Sequence, residues 1–182
     1  MIVFFGPAGA GKSMQGQILA ARQGWRWLST GQILRDAHDP EINKSMHEGK
    51  LISPELSNRI MGEAIKKAGD IDQIILDGFP RQIEQAEWLI QSQPDHGRSI
   101  GLVVVLEVPR EELLKRLSIR GRADDTPEAI DQRLLDYRQV MYPILGYLTD
   151  QNIPVVHIDG VGTVGEIHDR IFAEIQSRGI AG

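Results

Sequence analysis

The segment Gly6-Pro7-Ala8-Gly9-Ala10-Gly11-Lys12-Ser13 fits G-x-x-x-x-G-K-[ST] without a mismatch, and it comes directly after the apolar run Ile2-Val3-Phe4-Phe5. That order of parts reads as a buried strand feeding a phosphate-binding turn. Glycine at both ends lets the backbone N–H groups of Gly9, Ala10 and Gly11 point inward at an anion. Lys12 adds a mobile charge, and the Ser13 hydroxyl is placed to ligate Mg2+. Met14, Ile18 and Leu19 recur at helical spacing, which predicts a helix whose positive end lies under the same anion. A chain that starts this way is committed early to an α/β fold.

The rest of the sequence keeps to that commitment. Apolar, β-rich runs recur at 25–28, 73–77, 102–108 and 155–158, with amphipathic stretches between them. The alternation predicts a three-layer fold: a parallel sheet of about five strands with helices on both faces. Ser53 and Pro54 open one helix, Pro109 another, and Thr126 with Pro127 a third. Pro143 is expected to break or kink the helical stretch at that point. Thr163 and Glu166 form a capping-box pattern before Ile167, Ile171 and Ile175, and Gly179 to Gly182 are expected to fray. At 182 residues the chain suits a single domain spanning 1–182.

Charge and composition exclude several classes of function. A net charge of −5 argues against a general nucleic-acid binder, and no apolar run is long enough to span a membrane. With no cysteine there is no thiol nucleophile and no cysteine-built zinc site, which fits a reducing compartment. The opening strand leaves no room for a removable leader, so a cytoplasmic protein is expected. Its phosphate-bearing partner is expected to be small.

Further residues point to a second anionic ligand. Asp77 ends the third apolar run, at the sheet edge where ligands of open α/β folds collect, and can hold Mg2+ through water; alternatively it caps the next turn. The turn Gly78-Phe79-Pro80-Arg81 then fixes a guanidinium nearby. Leu28-Ser29-Thr30-Gly31 again joins a strand to a helix, with Arg35 one turn later; Ser29 and Thr30 also suit plain N-capping. Arg116, Arg120, Arg122 and Arg133 cluster around 121–127 in an otherwise acidic chain. Arg116 and Arg120 repel each other at i,i+4 unless a polyphosphate lies between them, or unless Glu111, Glu112, Asp124 and Asp125 make this a solvated charged face.

Taken in order, GPAGAGKS at 6–13, LSTGQILR at 28–35, EGKLI at 48–52, LDGFPRQIEQAEWL at 76–89, RLSIRGRADDTPEAIDQRL at 116–134 and IDG at 158–160 resemble the nucleoside monophosphate kinases, within that superfamily most closely the adenylate kinases. The resemblance implies reversible phosphoryl transfer from MgATP to AMP, giving two ADP, in a monomer. It implies a monophosphate-binding segment at 30–60 and a very short lid at 120–130. By matching position, Lys12, Arg81, Arg120, Arg122 and Arg133 would neutralise the transferring group. Gly9 through Met14, Arg116 and Gly162 would hold ATP. Thr30, Gly31, Arg35, Ile52, Gly78, Arg81 and Gln85 would hold AMP, with the Gln85 amide reading the adenine edge. Pyrimidine kinases of the superfamily tend to carry Asn where this chain has Gln82. Two departures concern the sites themselves: Ser13-Met14 replaces the usual Gly-Thr, and Gln32 replaces an Asp. Two other readings remain, a kinase for another monophosphate and an adenylate-sensing module without turnover. A GTPase switch lacks its guanine-specifying Asn-Lys-x-Asp segment.

Overall fold

The computed structural model describes residues 1–36, 42, 52–120 and 126–181, with Arg120 and Ala129 described only in their backbone. Five strands form one parallel sheet: β1 Ile2–Phe5, β2 Arg26–Ser29, β3 Ile74–Asp77, β4 Leu102–Glu107 and β5 Val155–Asp159, in the order β2-β3-β1-β4-β5. Around it lie, among the described residues, α1 Lys12–Gln23, α2 Thr30–Asp36, α3 Pro54–Lys67, α4 Ile83–Gln91, α5 Gln93–His96, α6 Arg110–Arg120, α7 Pro127–Asp150 and α8 Val164–Ser177. The expected architecture is present, with strand ends displaced by a residue or so.

Alternation along each strand divides the core in two. Val3, Phe5, Leu76, Val103 and Val105 face a cluster with Met61 and Ile65 of α3, Leu89 of α4 and Ile144 and Leu148 of α7. Ile2, Phe4, Ile75, Val104 and Leu106 face the opposite cluster with Leu19 of α1, Leu113 of α6 and Ile167, Ile171 and Ile175 of α8. Helices therefore cover both faces, the arrangement an all-parallel sheet requires. The register pairs Phe4 with Asp77 and Ser29 with Asp77, so the carboxyl ends of β1, β2 and β3 finish at one edge. The phosphate loop, α2 and the Asp77 turn all leave from that edge.

Local detail departs from a plain reading of the sequence pattern at three places. Pro143 does not break the helix: it lies inside α7, which continues to Asp150. The proline sits on the solvent side, and the carbonyl it deprives, Gln139 O, belongs to an exposed residue. An interior proline costs about 3 kcal/mol, whereas Met141, Ile144, Leu145 and Leu148 are buried around it at about 1.5–3 kcal/mol each. The C-terminal segment does not fray at Gly179: that residue adopts φ 66°, and the Ile180 N–H returns to Ile175 O at 3.2 Å, closing α8. In α1 the buried face is Gln15, Gly16, Leu19 and Ala20, while Met14 is exposed. Gly16 decides that rotation, since a Cβ there would sit 2.8 Å from Trp27 Cδ1.

Other expectations hold. Ser53 Oγ accepts from the Leu56 N–H at the start of α3. At the start of α8 both halves of the Thr163–Glu166 capping box are made.

Candidate functional site

Between β1 and α1 the chain turns through Gly6, Gly9 and Gly11 at φ 150°, 84° and 99°, a region open to glycine and strained for other residues. Gly9 has a second reason to be glycine, because a Cβ would meet the Leu117 side chain at 3.0 Å. Gly11 caps α1 with no side-chain hydrogen bond, and the first turn carries no acid. The helix thus presents its N–H groups and positive pole to the loop's concave side. Lys12 Nζ arches back to donate to Gly6 O at 2.6 Å and Pro7 O at 3.0 Å.

The sheet edge brings Ser13 and Asp77 together: Ser13 Oγ donates to Asp77 Oδ2 at 2.6 Å, although 64 residues separate them. Asp77 is only 3% exposed. Its carboxylate faces the loop rather than capping the next turn in isolation. Two oxygen donors side by side, one anionic, suit a hard cation that keeps most of its waters. The pair's two oxygens fit a cation, such as Mg2+, that arrives with a phosphate ligand.

Past Asp77, Gly78 takes φ 77° and the Phe79–Pro80 peptide is cis. Arg81 folds back over this turn, its Nε donating to Gly78 O at 3.0 Å. Protein atoms crowd the guanidinium even though its tip reaches solvent; desolvation lowers its pKa, and the neighbouring Asp77 opposes that. An arginine nevertheless stays charged. The Arg81 N–H donates to Gln85 Oε1 at 2.7 Å, and Gln85 Nε2 donates to Gln82 Oε1 at 3.3 Å. Gln85 is buried, and the backbone donor fixes which end of its amide is oxygen. Phe79 is buried beneath, edge-on to Trp88.

At the end of β2, Thr30 opens α2 with its Oγ1 buried and without a partner. It therefore does not spend its hydroxyl on capping. Gly31 lies against Arg35, where a Cβ would be 3.4 Å from Nη1. Arg35 Nη2 donates to Gln32 Oε1 at 3.0 Å and Gln32 Nε2 to Asp36 Oδ1 at 2.7 Å, so Gln32 bridges a cation and an anion. Ile52 is half-buried just before Ser53.

Of the clustered arginines, Arg116 reaches the phosphate loop. Its Nη1 lies 3.4 Å from Ala10 O, its Nη2 donates to Gly160 O at 2.8 Å, and its Nε pairs with Glu112 at 2.8 Å. Glu112 is thus the partner the charged-face alternative names, yet the guanidinium also joins two loops of the site. Arg133 borders a small gap with Ala8, Leu117, Ile130 and Leu134. The side chain of Arg120 and all of Arg122 fall outside the described residues, as do 37–41 and 43–51 of the expected monophosphate segment and 121–125 of the expected lid. Gly162, at φ 130°, stands where a Cβ would meet Glu166 Oε2 at 2.9 Å.

Two participants escape sequence inspection. Gln15 is buried in α1 and donates from Nε2 to Val164 O at 2.9 Å, tying the phosphate-loop helix to α8. Its signal is its place four residues before the apolar Leu19, on the same helix face. Arg170 donates from Nη1 to Asp159 O at 2.8 Å and to Val161 O at 2.6 Å. Nothing in its spacing marks it out.

A phosphate cradle on β1, opposed by a carboxylate on β3 within a 2-3-1-4-5 parallel sheet, defines the P-loop nucleoside monophosphate kinase fold. A model of the adenylate kinase family matches residues 4–153. The adenylate kinase of Mycolicibacterium paratuberculosis is 36% identical over 180 residues, covering 96% of this chain and 98% of that one. The adenylate kinase of Thermus thermophilus is 35% identical over 184 residues, with 96% of each chain covered. That of Flavobacterium johnsoniae is 36% identical over 187 residues, covering 97% and 98%. The chain belongs to the adenylate kinase family of ATP-dependent phosphotransferases. No helix among the described residues is long and apolar enough to cross a membrane.

Proposed function

We propose that the chain transfers the γ-phosphoryl group of MgATP to AMP, reversibly, giving two ADP, in a monomeric cytoplasmic enzyme. The observation that carries the reading is the 2.6 Å contact between Ser13 and Asp77, which sets a carboxylate from one strand against the phosphate loop of another. Arg81, its guanidinium crowded by protein and donating to Gly78 O, stands beside that carboxylate.

Phosphoryl transfer needs alignment and charge neutralisation more than covalent help, because the attacking group is already an anionic phosphate oxygen. The N–H groups of Gly9, Ala10, Gly11, Ser13 and Met14 cradle the donor phosphates, and Lys12 swings from its carbonyl anchors to the β- and γ-oxygens. Ser13 and Asp77 would hold Mg2+, Asp77 through water, and the ion would neutralise the phosphate oxygens when bound. Arg81, between the two substrates, draws the acceptor phosphate into line with Arg35. Arg120, Arg122 and Arg133 approach from the lid side of 120–130. Arg116 and the Gly162 backbone flank the donor base. The acceptor base lies in the monophosphate-binding segment of 30–60, among Thr30, Gly31, Ile52, Gly78 and Gln85. The held Gln85 amide keeps one N–H and one oxygen lone pair for the adenine edge.

The test is ADP formation by purified protein with Mg2+, ATP and AMP, against a control without AMP. Formation no faster than the control would sink the reading. Running GMP, UMP, CMP and dAMP beside AMP separates an adenylate kinase from a kinase of another monophosphate, and tight ATP and AMP binding without exchange would mark a sensor instead.

A further inference from the structure

The segment joining β5 to α8 carries two glycines in three residues, Gly160 and Gly162, the second at φ 130°. Such a segment has much backbone freedom to lose and should wander unless held. It is held by two arginines from different helices. Arg170 of α8 takes the carbonyls of Asp159 and Val161, and Arg116 of α6 takes the carbonyl of Gly160 between them. Three successive carbonyls are thereby occupied. The neighbouring N–H groups are occupied too: Gly160 N donates to Glu107 O at 2.8 Å, Val161 N to Asp159 Oδ1 at 2.9 Å, and Thr163 N to Glu166 Oε2 at 2.7 Å. Among the described residues, Gly162 alone in this stretch has neither its own N–H nor its own C=O hydrogen-bonded. The segment also adjoins the phosphate cradle, through Arg116 to Ala10 O and through Gln15 to Val164 O.

We infer that Arg170 is a positioning residue for the donor nucleotide: by pinning Asp159 O and Val161 O it orients the Gly162 peptide toward the base of a bound 6-aminopurine triphosphate. The inference rests on the proposed ATP-dependent function. Arg170 touches no phosphate; it acts through the backbone it holds. A guanidinium suits the task because one side chain can reach two carbonyls a residue apart. Its side chain is 40% exposed and contributes nothing to either core cluster, so its removal should spare the fold.

The test compares wild type with Arg170→Ala and Arg170→Lys. Arg170→Ala should raise KM for ATP about fivefold to tenfold, leave KM for AMP and kcat within twofold, and shrink the preference for ATP over ITP by a similar factor. Arg170→Lys should recover part of the loss. Calorimetric ATP binding without AMP should weaken in parallel. KM for ATP within twofold of wild type would overturn the inference; so would a joint rise in both KM values with a lowered melting temperature, which is what a merely structural role produces. A wild type that binds ATP but never phosphorylates AMP would remove the proposed function, while the binding comparison would still judge Arg170.

Discussion

The halves of the site proposed for donor and acceptor are built in different ways. On the donor side, the phosphate loop and the β5–α8 segment are knitted to three helices by Gln15, Arg116 and Arg170, all acting on backbone carbonyls. On the acceptor side, Arg35, Gln32 and Asp36 bond chiefly to one another on an exposed helix face, and Thr30 keeps a buried hydroxyl with no partner. Arg81 and Gln85 are also tied to main-chain groups, so the contrast lies in Thr30 and the Gln32–Arg35–Asp36 chain, which make no such contacts. Preorganised donors cost no reorganisation when charge develops, whereas an unpartnered buried hydroxyl costs stability until a substrate satisfies it.

The largest expected effect probes the stiff half. Lys12→Met removes the loop's mobile charge and both carbonyl contacts, and should cost roughly 100-fold to 1,000-fold in kcat, the range for loss of one preorganised charge-stabilising donor. KM for AMP should change little. If that KM rises as steeply as kcat falls, the two halves are not separable in the way their contacts indicate.

A stability measurement comes next. Gly16→Ala forces a methyl group toward Trp27 Cδ1, 2.8 Å from the ideal Cβ position. Overpacking of this kind costs about 1–3 kcal/mol, partly offset by the better helix propensity of alanine, about 1 kcal/mol. Denaturant unfolding should show a net loss. An unchanged midpoint would mean that α1 can shift on the sheet and that the donor half is looser than its hydrogen bonds imply.

On the acceptor side the expected signs divide. Thr30→Val replaces an orphaned hydroxyl with a methyl group of similar shape, so the ligand-free protein should gain up to about 1 kcal/mol. KM for AMP should rise about fivefold, equivalent to roughly 1 kcal/mol. Greater stability together with weaker AMP binding distinguishes a hydroxyl kept for substrate from one kept for the fold. Loss of both would contradict the contrast.

How far these halves are legible in sequence obeys the same division. The phosphate loop, the five strands and the capping box are local patterns, readable from residues a few positions apart. Pairings such as Ser13 with Asp77 depend on strand order, which a run of apolar residues does not encode, although both partners can be flagged singly. Gln15 and Arg170 carry no such flag, because they bond to carbonyls and any residue offers a carbonyl. Pro143 does not end its helix, because local propensity is outweighed by four buried neighbours on the same helix.

The smallest effect tests whether the donor half holds its shape across pH. His168 lies on α8, one turn past the capping box, only 3% exposed, stacked on Phe172 and with Nδ1 unpartnered. Burial lowers its pKa, Arg22 adds to the shift, and Asp169 opposes it. Above about pH 6.5 the imidazole is neutral in folded and unfolded chains alike, and stability is unaffected. As pH falls below that value the unfolded chain gains a proton that the folded chain resists, so stability declines until pH passes the lowered folded value and then levels. One such group limits the slope to about 1.4 kcal/mol per pH unit. His96 is also lowered by burial and adds a change of the same sign, so the informative quantity is the difference between wild type and His168→Leu. That variant should flatten part of the acid-side decline in denaturant midpoints while leaving values above pH 7 parallel. Identical profiles would mean that His168 takes up its proton inside the fold, and that the helix behind the donor loop yields more readily than its packing implies.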